Sequence, residues 1–353
     1  MAIYEQGTFN SSQRLSKVAH HEKLYRDWIK ETLVAKMMSE GDQTPVQYQR
    51  VEKGKGDVVY FGLRARNTDS FIMDGPAEGN ESELSTYSFS VTMHLFRAAF
   101  AYDAYLSVQR SAFDIPNAAM DALKDNWQEN FEALHWEALY DSPSIYLYNV
   151  SGTFTTNATK ATAKAAISTV ANNGITAQFL SRLKGYLSAR RGTGYPPVQP
   201  VKLKGYDKPL YVLITHPHSL TDLWNDGTFL TGHRECLARG KDNPIFWQAE
   251  SIYAGFLILS SEHVDSSADY GGASVYGCEA KILGRQALAL AVGNAAPNSS
   301  TSESMQIVGP VDVERYGSSK GIEAHCIMGL RKTTFNSVDY GSASALFIAT
   351  DLR

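Results

Sequence analysis

Cysteine is scarce in this chain of 353 residues: Cys236, Cys278 and Cys326 are odd in number and far apart. They fit buried thiols in a reducing compartment better than a disulfide framework. No run of about 18 apolar residues occurs, so no membrane span is predicted. The start, Met1 to Gln6, lacks a basic stretch followed by an apolar core, so no signal peptide is expected. Charge is modest: 33 Lys and Arg against 37 Asp and Glu leave a net charge of −4. This gives no global drive toward nucleic acid or acidic membrane, and any DNA contact would be local or weak. A Walker loop, a dinucleotide fingerprint and a His-Glu-x-x-His helix are all missing. A hydrophobic share of 43% excludes disorder and leaves room for two or three compact regions.

What is present is organised around residues 114 to 140. Met120, Leu123, Trp127, Phe131, Leu134 and Ala138 recur at steps of three or four, one apolar stripe of an α-helix. Asp121, Lys124, Asp125, Gln128, Glu129 and Glu132 form its wet face. Asp114 can cap the start, Pro116 suits the first turn, and Asp141-Ser142-Pro143 stops the helix. The rod would be about 37 Å long and needs a surface to lie against for most of that length.

Before it, Asp57 to Tyr102 reads as a long two-stranded hairpin. Val58 to Leu63 is a strand signal, and Tyr87, Phe89, Val91, Met93 and Leu95 alternate with polar residues. The tip, Asn67 to Leu84, is dense in turn residues and carries Glu78, Glu81 and Glu83. Paired carboxylates can do acid–base work only in a pocket that shifts their pKa values, so on a tip they read more simply as an interaction surface. A two-stranded hairpin is marginal alone, so its apolar face must lie either on a sheet elsewhere in this chain or on another subunit.

Residues 1 to about 20 read as a loose arm and His21 to Met38 as a patchy helix. After the long helix, strands and helices mix without a βαβ rhythm, which gives an α+β fold. Helices are expected at Ile175 to Arg191, Ser219 to Trp224, Thr228 to Arg239 and Ile282 to Val292. Strands are expected at Leu210 to Ile214, Phe256 to Leu259, Ile307 to Tyr316, Ile322 to Thr333 and Leu346 to Thr350.

Candidate chemistry is thin. Gly317-Ser318-Ser319-Lys320-Gly321 matches a nucleophile elbow formally, but an alternating strand pattern follows it where a helix is required. His216-x-His218 lacks a third ligand nearby, His20-His21-Glu22 reads as a solvated segment, and nothing marks a reactive thiol at Cys236 beside His233. Lys184, Arg190 and Arg191 read as a solvated helix end. No catalytic, cofactor or metal site is expected. A hydrolase using Ser319 or a His216-centred site is the alternative.

The order of parts (arm, tip-rich hairpin, long helix, mixed domain, last strand) resembles the major capsid proteins of tailed phages, which have the Hong Kong 97-type fold. It is most similar to the N-four-like group. Lys55-Gly56-Asp57-Val58-Val59, Glu78-Gly79-Asn80-Glu81-Ser82-Glu83-Leu84, Gln109-Arg110, Trp127, Tyr211 to Pro217, Asn243-Pro244-Ile245-Phe246 and Gly284-Arg285-Gln286-Ala287 carry the likeness. It covers most of the chain from Lys53 onward. It implies an N-terminal arm (1–51), an extended loop (52–102), a peripheral domain with the spine helix (103–151), an axial domain (152–325) and a return to the peripheral domain (326–353). It further implies hexamers and pentamers that close an icosahedral virion capsid in the host bacterial cytoplasm. The partners would be the chain itself, a portal protein, possible scaffold and decoration proteins, and packaged DNA held weakly, with no membrane. A hairpin leaning head-to-tail on the next subunit closes rings. Its interface would include Glu78, Glu81, Glu83, Tyr87, Phe89, Val91 and Met93, with Trp127 in the platform. A near-neutral wall would not grip the genome.

Overall fold

In the computed structural model, strands and helices are interspersed, as the α+β expectation has it, and two large sheets result. The structure describes residues 32–51, 57–64, 73, 86–103, 115–141, 146–150, 153–157, 159–167, 174–189, 198–202, 209–236, 251–271, 275–294, 305–313, 319–335 and 337–352. A 3-10 turn (Val34–Met37) leads into β1 (Met38–Ser39) and β2 (Val46–Arg50). Then come β3 (Val58–Arg64), β4 (Thr86–Thr92), β5 (His94–Asp103) and the long helix α1 (Ile115–Tyr140). β6 (Tyr146–Val150), β7 (Thr153–Asn157), α2 (Lys160–Ala166) and α3 (Ala177–Ala189) follow. The next elements are β8 (Tyr211–Thr215), α4 (Pro217–Asn225), α5 (Gly227–Cys236), β9 (Ser251–Tyr253), β10 (Phe256–Ser260), β11 (Ser266–Tyr270) and β12 (Val275–Leu283). The chain continues with β13 (Leu288–Val292), β14 (Met305–Asp312), β15 (Ser319–Lys332), β16 (Thr334–Phe335), β17 (Val338–Asp339) and β18 (Ser342–Ile348).

The first sheet runs β1-β2-β13-β15-β14, with β5 on the other side of β15. The second runs β7-β6-β18-β12-β8-β10-β9, with β11 also on β12. α1 lies between them. Its Leu123, Trp127, Phe131, Trp136 and Leu139 share one core with Leu288, Leu290, Val292, Ile322, Ala324 and Met328 of the first sheet. The same core takes Val212, Ile214, Leu259 and Leu283 from the second. The opposite face of the second sheet packs on α3, α4 and α5 through Leu180, Leu183, Leu223, Trp224 and Phe229. Strand β8 is buried at all five positions, which explains its unbroken apolar run.

Several expectations change. The hairpin does not continue to Tyr102: β4 ends at Thr92, and β5 leaves β3 to pair with β15 over the whole of Asp103 to His94. The Met93 N–H closes the hairpin by donating to the Asp57 carbonyl at 2.7 Å. Ile282 to Val292 is the end of β12 followed by β13, not a helix. Gln286, at φ 52°, turns the chain there, and β13 is buried at every position. β13, β14 and β15 belong to the sheet under α1 rather than to an axial unit, whereas β18, expected to return to the peripheral domain, lies inside the second sheet between β12 and β6. The C-terminal part of the arm expected at 1–51 joins the first sheet, because β2 pairs with β13 and Val46 is fully buried, and the loose stretch expected at residues 1 to about 20 lies outside the described residues. Of the helix expected at His21 to Met38, the described part is one 3-10 turn. Asp114 and its cap lie outside the described residues.

Candidate assembly interface

The register Val58↔Thr92 to Arg64↔Thr86 puts Val59, Phe61, Leu63, Phe89 and Val91 on one face of the β3–β4 hairpin. That face is covered by the chain itself, through Ala289, Ala291 and Tyr340. The Arg331 guanidinium sits 5.0 Å from the centre of the Phe89 ring, and Gln286 Nε2 donates to the Gly62 carbonyl at 3.3 Å and to Gln47 Oε1 at 2.8 Å. Phe89 and Val91 are therefore internal contacts, which corrects the expectation that they lean on a neighbour. The reason is that β13 and β15 offer an apolar surface that neither the turn residues nor the period of two reveals. Tyr87 packs edge-on against Phe335 with 4.4 Å between ring centres, yet stays partly exposed. Met93 is half-buried beside the same cluster, and Trp127 is buried in the α1 core. Glu78, Glu81 and Glu83 lie outside the described residues. The face that remains open is the outer one, where Tyr60 is 68% and Val58 42% exposed.

The second sheet is tied to the end of α1 by a buried ionic junction that sequence reasoning missed. Lys281 Nζ lies 2.5 Å from Glu279 Oε1 and donates to Ser344 Oγ at 2.7 Å, and both charged side chains are almost wholly buried. Lys160 adds a second cation, 2.6 Å from Glu279 Oε2, and also pairs with Asp265. The Tyr140 ring at the end of α1 lies 4.1 Å from Lys281 Nζ, and its hydroxyl donates to the Glu279 carbonyl and accepts from the Asp265 N–H. Next to it, Lys332 Nζ pairs with Asp339 at 2.8 Å and donates to the Asp141 carbonyl at 2.5 Å. Burial pushes the Lys281 ammonium down to about 8 although Glu279 opposes this. Burial also works against the Glu279 charge, but the two lysines outweigh it and hold the carboxyl below its ordinary value. The signal was present in the sequence: Glu279 and Lys281 stand two apart in an otherwise apolar strand, so both point to one face.

Where the chain passes from β4 to β5, a cleft of about 640 Å³ opens between α1 and the first sheet. Thr92, His94, Phe131, His135, Leu290 and Arg331 line it. His135 is fully buried; its Nδ1 donates to the Phe131 carbonyl at 2.6 Å, and burial lowers its pKa to about 4.

The candidate chemical sites do not assemble. Ser319 begins strand β15 opposite Asp103, so no strand–turn–helix elbow forms around it. His216 caps α4, its ring accepting the His218 N–H at 3.3 Å. Among the described residues, no three His, Cys, Asp or Glu side chains converge as metal ligands. Cys278 and Cys326 are buried free thiols that burial raises to about 11 and about 12. Lys184 is exposed on α3.

A comparison with curated protein sequences finds no match. Solved structures do match in fold. The capsid of Ralstonia phage GP4 is 22% identical with a TM-score of 0.69, covering 90% of this chain and 91% of that one. The capsid of cyanophage Pam1 is 20% identical with a TM-score of 0.72, covering 99% of both. The capsid of Helicobacter pylori bacteriophage KHP30 is 11% identical with a TM-score of 0.66, covering 90% and 92%. The architecture is thus the Hong Kong 97-type capsid fold. The profile described as phage capsid protein matches residues 8–140 and 145–349, nearly the whole length. A hairpin docked on a helix-backed sheet is what that match explains: the chain belongs to the phage capsid protein family and is a structural subunit of a phage head.

Proposed function

We propose that the chain works as a shell subunit without catalysis, arranged as hexamers and pentamers that enclose double-stranded DNA. One observation carries the reading: the β3–β4 ribbon is satisfied on its inner face by its own chain, while its outer face leaves Tyr60 and Val58 in water. A ribbon with one face docked and an aromatic on the other is suited to meet a neighbour. The tip with Glu78, Glu81 and Glu83 would reach the next subunit, Tyr87 would flank that contact, and Met93 and Trp127 would belong to the platform that holds it. Near-neutral charge suits a wall that touches DNA weakly. Assembly in the bacterial cytoplasm, with a portal and possible scaffold and decoration proteins, and membership of the N-four-like group complete the proposal.

The test is removal of residues 70–82. The shortened chain should stay soluble and folded but form no shells under the electron microscope. Particles of normal size from it would overturn the reading.

A further inference from the structure

Gln286 stands in the left-handed region at φ 52° and is only 2% exposed. That backbone conformation is uncommon for a glutamine and persists where the surroundings over-determine it. Here the surroundings come largely from the arm. The Gln286 N–H donates to the Thr44 carbonyl at 2.9 Å, and the Ala287 and Leu288 N–H groups donate to the Pro45 carbonyl at 2.8 and 3.0 Å. Arg285 Nε donates to the Asp42 carbonyl at 2.6 Å, and the Arg285 guanidinium pairs with the Asp42 carboxylate. From the other side, Thr333 Oγ1 donates to the Gln286 carbonyl. Residues 42–45, just before β2, thus clamp the turn between β12 and β13.

The clamped turn aims one side chain at the ribbon. Gln286 Nε2 has two protons and two acceptors: Gln47 Oε1 on β2 at 2.8 Å and the Gly62 carbonyl on β3 at 3.3 Å. A carbonyl only accepts, so the Gly62 contact fixes which end of the amide faces the ribbon. Much of the ribbon's remaining seat is apolar, with Val59, Phe61 and Leu63 in one cluster with Ala289, Ala291 and Tyr340. Apolar burial has no direction, so it holds the ribbon down without setting its pitch; a hydrogen bond does have one.

We infer that the arm governs the seating of the ribbon through Gln286. While residues 42–47 are docked, the turn stays left-handed and its side chain pins β3 at Gly62. When they leave, the turn relaxes to negative φ and the pin swings away. Arm and ribbon are also joined along the chain between β2 and β3, and the experiment separates that route from this one. The coupling lies within one subunit, so its failure leaves the shell reading above untouched.

The test is a mutant cycle on the full-length, unassembled chain, read by hydrogen exchange at the amides of residues 58–64. The arm variant combines Asp42→Ala with Val46→Ala, which removes the ion pair and a fully buried side chain of β2. Neither residue belongs to the ribbon's own cluster. The pin variant is Gln286→Gly, which accepts the left-handed turn without strain and so should stay folded while losing the side chain. Each variant should speed exchange across 58–64 by about fivefold, the effect of one net hydrogen bond. Combined, they should exchange no faster than Gln286→Gly alone, because the route is already cut. An arm variant that exchanges at the parental rate across 58–64 overturns the proposal. So does an arm effect that is equally large in the Gln286→Gly background, which assigns the coupling to the chain between β2 and β3.

Discussion

Lys281 Nζ stands 2.5 Å from Glu279 Oε1, two residues apart on β12, and 4.1 Å from the centre of the Tyr140 ring at the end of α1. Removing one member of such a pair strands the other in a dry interior. Glu279→Leu should therefore cost about 3–5 kcal/mol, read by urea unfolding of unassembled subunits. Replacing both, as Glu279→Leu with Lys281→Met, should recover much of that loss, because an apolar pair of similar volume fits the site. Equal losses in the single and double variants would refute this account.

Acid should weaken the subunit through His135. Its folded pKa is about 4 against an ordinary 6.5, so the unfolded chain takes up the proton first. The contribution is complete above pH 6.5 and is lost as pH falls through 4, reaching about 3 kcal/mol. His135→Leu should flatten the stability curve across that window. An unchanged slope between pH 6.5 and 4 would assign the acid sensitivity to other groups.

Gly329 lies against Thr92 so closely that a Cβ there would collide with the Thr92 carbonyl. Gly329→Ala should cost about 1–3 kcal/mol through overpacking at the strand switch. Gly62 has no atom within 4 Å of the same position, so Gly62→Ala should be neutral or stabilise slightly, by about 0.5–1 kcal/mol. Thermal melts of the two variants should separate in opposite directions.

The hairpin's two faces should respond differently. Phe89→Ala empties a buried site under Arg331 and should lower stability by about 3–5 kcal/mol. Tyr60→Ser changes an exposed side chain and should leave the melting temperature nearly unchanged while lowering particle yield. A Tyr60→Ser chain that assembles at parental yield would place the contact elsewhere.

Much of this was readable in the sequence, for reasons that lie in periodicity. The α1 stripe at Leu123, Trp127 and Phe131 is buried as its spacing predicts. Toward the C-terminal end, His135, Trp136 and Leu139 are more buried than Leu134 and Ala138, because the second sheet packs there too and widens the covered face. The helix expected at Ile282 to Val292 failed on Leu288 to Val292, since a strand buried on both faces has no period to display. The switch at Met93 was invisible because the alternation of Tyr87 to Leu95 runs through it unbroken. What covers Phe89 depends on pairings some two hundred residues away, and no local pattern encodes them.

The passage from β4 to β5 spans a single residue, Met93, with no loop in between. The ribbon and the sheet beneath the rod are thus one taut cord. A tug on the ribbon finds no slack to absorb it, so it is delivered to β15 and to the helix that rests there. In a closed container, each tile would feel its neighbour's displacement along its own backbone.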